Sequence, residues 1–171
     1  MKHMLLVAAA AFLFVSCDED FLTIDKSFDG ATFTIDVPQA DEPGAVSLRH
    51  DDVELNIQQR LDEYGVSEDN LRMIVVEAVE VTINDPANVF TFENLSNVAL
   101  QVDNAALGAV TIADLASATG TTASLDVRDA DIKAYLLSDQ FSSILTGVSN
   151  SAIAAGVTVD VDVTYSLTGG L

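Results

Sequence analysis

The segment from Gly156 to Leu167 sets the tightest limit on the fold. Val157, Val159, Val161, Val163 and Tyr165 share one parity, while Thr158, Asp160, Asp162 and Thr164 share the other. Side chains of a β-strand alternate between its two faces, so this run is a strand with one apolar and one hydrated face. Such a strand belongs in an antiparallel sheet that packs on one side only. Arg72 to Asn84 repeats the pattern, with Val75, Glu77, Val79, Val81 and Ile83 on one parity, and Asp85-Pro86 stops it.

Shorter runs fill the rest of the chain. Thr32 to Val37 carries Phe33, Ile35 and Val37 on one face, and Pro38 ends it. Val89 to Glu93, Ser96 to Asp103, Ala109 to Ala113, Ala123 to Val127 and Phe141 to Val148 also read as strands. Ala45 to Asn56 fits a strand face with a break near Asp51. Ile57, Leu61 and Tyr64 instead recur at helical spacing, and Gly65 suits the left-handed position that closes a helix. A capped corner is expected at Ser67, and a second short helix follows Asp129 as its cap, with Ile132, Tyr135 and Leu136 as the apolar stripe. The sum is an all-β chain: a single antiparallel β-sandwich of about seven or eight strands with one or two short helices. The gaps between strands leave no room for the crossover helices of a parallel sheet.

The N-terminus reads MKHMLLVAAAAFLFVSC. Lys2 and His3 make a short positive start, and Leu5 to Val15 is an apolar run of about 11 residues, signal-peptide length and well short of the roughly 20 that span a bilayer. Ser16 then precedes Cys17, the chain's one cysteine, and charge begins immediately after it with Asp18, Glu19 and Asp20. A lone thiol excludes an internal disulfide framework and any multi-cysteine metal site.

Phe14-Val15-Ser16-Cys17 resembles the lipobox of bacterial lipoproteins, with Phe14 where leucine is commonest. The resemblance implies that residues 1–16 are a signal peptide, cut before Cys17, and that Cys17 carries lipid holding the chain to a membrane. Asp18-Glu19-Asp20 resembles the export tag of surface-exposed lipoproteins of the Bacteroidota, which implies an outer-membrane anchor and a place on the cell surface; without the tag function, the chain faces the periplasm. Residues 17–30 are then a lipidated cysteine with an acidic tether, and residues 31–171 the sandwich domain. Leu71 to Asp85 followed by Phe90-Thr91-Phe92, and Ile132 to Leu136 ending near Phe141, are similar to small uncharacterised lipoproteins of the same group. That likeness lies in core patterning and implies no activity.

Charge narrows the partners. The chain has 27 acids against seven Lys and Arg, a net charge of -20, and every acid follows Cys17. Binding phosphates requires cations that displace counterions, so nucleic acid is excluded as a partner. Catalytic chemistry has little to work with. His50 is the one histidine after Cys17, and a surface turn is its expected place. Gly147-Val148-Ser149-Asn150-Ser151 begins like a nucleophile elbow but lacks the closing glycine. No phosphate loop or dinucleotide fingerprint occurs, and no cofactor is expected. Asp126, Asp129 and Asp131, clustered at a strand-to-helix corner, are candidate calcium ligands, since calcium takes grouped carboxylate oxygens. Their spacing does not match an EF-hand.

The expectation for function is a non-enzymatic module, anchored to the membrane through lipid on Cys17, that binds a protein or glycan at the cell envelope. Sandwiches bind through loops gathered at their ends, which makes Gln39–Gly44, Asp103–Gly108 and Ala113–Thr122 the candidate surfaces. The alternative is a structural, pilin-like accessory subunit that assembles by strand addition, with the C-terminal strand as donor.

Overall fold

The valine ladder near the C-terminus becomes the spine of the molecule. The structure, a computed structural model, describes residues 23–53, 55–138 and 140–170. Strand β9 (Thr158–Gly170) lies between β1 (Thr23–Asp36) and β3 (Leu71–Asn84), antiparallel to both, and β6 (Thr122–Ser124) completes a four-stranded sheet in the order β1-β9-β3-β6. The facing sheet has the order β2-β8-β4-β5-β7, from β2 (Gly44–His50), β4 (Leu95–Asn104), β5 (Gly108–Leu115), β7 (Asp126–Val127) and β8 (Ser142–Ser149). Every pairing is antiparallel. The expected all-β sandwich is therefore the observed one, with nine strands among the described residues and two short helices, α1 (Ile57–Tyr64) and α2 (Lys133–Leu136).

The core lies between the sheets. Val157, Val159, Val161, Val163, Tyr165 and Leu167 point inward, all nearly free of solvent. Their partners on β3 do not follow the single parity read from sequence. Ile74 and Val76 are buried, then Val79, Val81 and Ile83, because the register shifts between Val76 and Ala78. A bulge adds one residue to one strand and flips the parity beyond it, so Val75 and Glu77 face out. On the outer face Thr32 donates to Asp162 at 2.6 Å, and the Asn84 amide donates to Asp160 at 2.7 Å. The Thr34 hydroxyl and then that amide hold the Asp160 carboxyl below its ordinary range. These aspartates tie β9 to both neighbours in mid-sheet.

Three short segments differ from their sequence reading, each for a local reason. The first strand begins at Thr23, so the boundary expected at residue 31 moves back into the segment read as tether. Charges at Asp25, Lys26 and Asp29 and a register shift between Asp29 and Thr32 hide its alternation. Ala123 to Val127 is not one strand. β6 pairs with β3, Leu125 turns inward with its N–H on the Val79 carbonyl, and β7 pairs with β5, so the chain crosses between sheets and closes that side. Val89 to Glu93 is not a strand at all. The Asp85 carboxylate accepts N–H bonds from Ala87, Val89 and Phe90 at 2.9, 2.8 and 2.8 Å, and Thr91 with Asn94 caps a turn of 3₁₀ helix at Phe92–Asn94. Side-chain bonds to nearby backbone compete with a ladder and here replace it.

Asp85 also supplies a pH test. The Phe90 N–H above all, then those of Ala87 and Val89, hold its carboxyl below the ordinary range. A depressed carboxyl contributes stability above its unfolded value, near pH 4, and loses it as pH falls through the folded value. Asp85→Asn is expected to unfold at lower urea than the parent at pH 7, with the difference shrinking toward pH 2. A difference that grew on acidification would contradict this role.

Helix α1 forms as read: Ile57 and Leu61 are buried, and Gly65 at φ 69° is the left-handed closing residue. The Ser67 hydroxyl accepts the Asn70 N–H, capping the next turn. Among the described residues no helix is long and apolar enough to cross a membrane.

Candidate functional site

Cys17, Asp18, Glu19 and Asp20 lie outside the described residues. The three candidate calcium ligands fall inside them and do not converge. The Asp131 carboxylate is occupied by the N–H groups of Ile74 and Lys133 at 3.2 and 3.0 Å, Asp126 lies exposed on β7, and Asp129 is exposed in the loop beyond. Asp131 rather than Asp129 therefore supports the start of α2. Among the described residues no group of three or more His, Cys, Asp or Glu side chains is placed to hold a metal ion. His50 ends β2 and stacks on Phe33 with centroids 4.7 Å apart and planes 7° apart, so it is an inter-sheet contact rather than a turn residue. Ser149 is buried and its hydroxyl donates to the Ser151 carbonyl at 2.7 Å.

The three candidate loops divide between the ends of the sandwich. Gln39–Gly44 and Ala113–Thr122 belong to the end where β1 and β3 finish. Backbone bonds join the loops there: Ala40 with Ile153 in both directions, Asn150 to Asn94, Phe92 to Gly120, and Ile83 to Thr121. Asp103–Gly108 is a hairpin at the opposite end, near Thr23 and Leu71. Its Asp103 accepts from Arg49 at 2.8 Å, and Arg49 also donates to Asp51 and Ser142, stapling β2, β8 and β4 together.

The sandwich sides also differ. The β6–β7 side is closed by the strand that crosses it, whereas β1 and β2 each have an outer edge that no other described strand pairs. The β1 edge is blunted, since it carries Asp25, Lys26 and Asp29 and a register shift. Charge and bulges on an edge discourage pairing with another chain. β2 has neither over its first five residues. Gly44-Ala45-Val46-Ser47-Leu48 is uncharged, holds an unbroken register with β8, and makes no backbone hydrogen bond outside that ladder among the described residues.

Beside this edge lies a cleft of about 400 Å³, walled by Pro38, Gln39, Ala40 and Glu42, by β2 from Gly44 to Leu48, and by Ser149 and Ile153. Its volume falls in the range of ligand sites. Among the described residues no Lys or Arg lines it, exposed Glu42 does, and exposed Asp41 precedes Glu42 in the chain. Sequence reading reached the Gln39–Gly44 loop but missed the β2, Ser149 and Ile153 walls, because alternation is silent on which strand lies at an edge. The signal that was available is the lack of charge in residues 44–48. Comparison with protein-family models and with curated proteins finds no match for this sequence.

Proposed function

We propose that the protein is a lipid-anchored lipoprotein of the cell envelope, a non-enzymatic binding module displayed on the surface of the outer membrane. The observation that carries this reading is the N-terminal sequence: a short apolar run, then Phe14-Val15-Ser16-Cys17, then Asp18-Glu19-Asp20. One acyl chain binds a bilayer marginally, and two or more on one cysteine hold it firmly. The fold is compatible with that tether. Thr23, the first residue of β1, lies six residues past Cys17, a reach of no more than about 20 Å even when fully extended. Lipid on Cys17 then sets the Thr23 end toward the bilayer and the joined loops at the Asp36 end away from it. Donation of the C-terminal strand gains no support, since β9 is paired along both edges inside its own sheet.

Protease shaving of intact cells tests the placement. The domain is expected to be cleaved on cells carrying the parent chain and protected on cells in which Asp18, Glu19 and Asp20 are all replaced by Ala. Protection in both strains, with cleavage only after lysis, would place the domain in the periplasm and overturn the surface reading.

A further inference from the structure

We propose that the unblunted edge of β2 and the cleft beside it form an acceptor site for an extended peptide segment of a partner protein, which adds to the five-stranded sheet as a sixth strand next to β2. A strand edge presents alternate N–H and C=O groups outward; β2 uses its inner set on β8, and no other described strand takes the outer set, which a new strand would use. Edges left open in stable proteins are blunted by charge, proline or bulges. Residues 44–48 have none of these, while β1 on the same side of the sandwich has two. The five residues run about 17 Å, enough to pair with a short extended segment. The apolar cleft walls at Val46, Leu48 and Ile153 then receive alternate side chains of the incoming strand.

Charge selects the occupant. Glu42 in the lining and exposed Asp41 beside it in the chain, with no cation in the described lining, favour a segment that carries Lys or Arg beside its alternating apolar residues. Net charge opposes a second copy, since two chains that each carry a net -20 repel one another. This assignment rests on the reading of the protein as a binding module and not on its lipid. Loss of the anchor leaves the edge unchanged.

The test uses the full chain, purified in a non-ionic detergent, to select random linear peptides displayed on phage, with counter-selection on an Asp41→Lys, Glu42→Lys variant. Both substitutions lie on an exposed loop, and an unchanged melting temperature confirms that the variant is folded. The expected result is enrichment of peptides that alternate apolar and polar residues and carry Lys or Arg, binding the parent roughly tenfold or more tightly than the variant. Hydrogen exchange of the complex is expected to show new protection at those amides of residues 45–48 that point away from β8. The proposal is overturned by no enrichment, by equal binding to the variant, or by protection elsewhere in the chain. A dimer by light scattering without peptide, with the outward amides of residues 45–48 already protected, would assign the edge to a second copy instead. Each of these results is independent of where shaving places the domain.

Discussion

Replacing Gly30 with alanine is expected to lower the folding stability by about 3 kcal/mol, the upper part of the range for forcing atoms into a packed site. Gly30 sits in β1 where the register with β9 shifts, and the buried Tyr165 ring covers it. A methyl group there would fall inside contact distance of two ring carbons and 2.5 Å from the Val163 carbonyl oxygen. The ring is enclosed by the core and the carbonyl belongs to the central strand, so the strain passes to the β1–β9 pairing. In a domain of this size the loss corresponds to a melting temperature lower by roughly 10 °C. Thermal unfolding by circular dichroism reads it directly, and a shift within a degree or two of the parent would show that β1 does not pack on Tyr165 as described.

The second large effect comes from the other side of that contact. Tyr165 is among the largest fully buried side chains, and its ring lies 5.6 Å from that of Phe28 at a tilt of 32°. Burial also drives its hydroxyl strongly upward in pKa, so it stays neutral across the physiological range. Tyr165→Ala is expected to cost about 4 kcal/mol, combining lost apolar burial with the cavity left behind. The two substitutions share a space and so will not add. Alanine at 165 removes the ring that a residue 30 methyl would strike, which leaves only the Val163 carbonyl in its way. The double variant should therefore be more stable than the sum of the single losses, by more than the roughly 0.5 kcal/mol scatter of independent sites. Strict additivity in urea unfolding would contradict the packing of Gly30 beneath Tyr165.

What the sequence disclosed follows from which forces are local. The β9 ladder, the Gly65 helix stop and the Ser67 cap are legible because period, left-handed backbone and hydroxyl capping act within a few residues. The Val76/Ala78 bulge was not legible, since an extra residue in a strand is defined only against its partner. The division of Ala123 to Val127 escaped for the same reason: Leu125 turns inward on its bond to Val79, over forty residues away in the chain. Asp85 gave a visible stop, but its three N–H partners, which keep Val89 and Phe90 out of a strand ladder, are set by the folded chain. The site divides likewise. The loop at Gln39–Gly44 could be named as a turn, yet its wall of β2 edge depends on strand order. Asp126, Asp129 and Asp131 looked alike as carboxylates, and only the backbone donors of Ile74 and Lys133 show that one of them has another task.

The lipid on Cys17 is the claim on which the placement of the protein rests, and metabolic labelling tests it most directly. Cells expressing the parent chain or Cys17→Ala are grown with an alkyne-bearing palmitate, and the purified chains are assayed for the label and for partition into detergent. The parent is expected to carry label and enter the detergent phase, while Cys17→Ala carries none and stays in the aqueous phase. Label persisting on Cys17→Ala, or absent from the parent, would contradict the account.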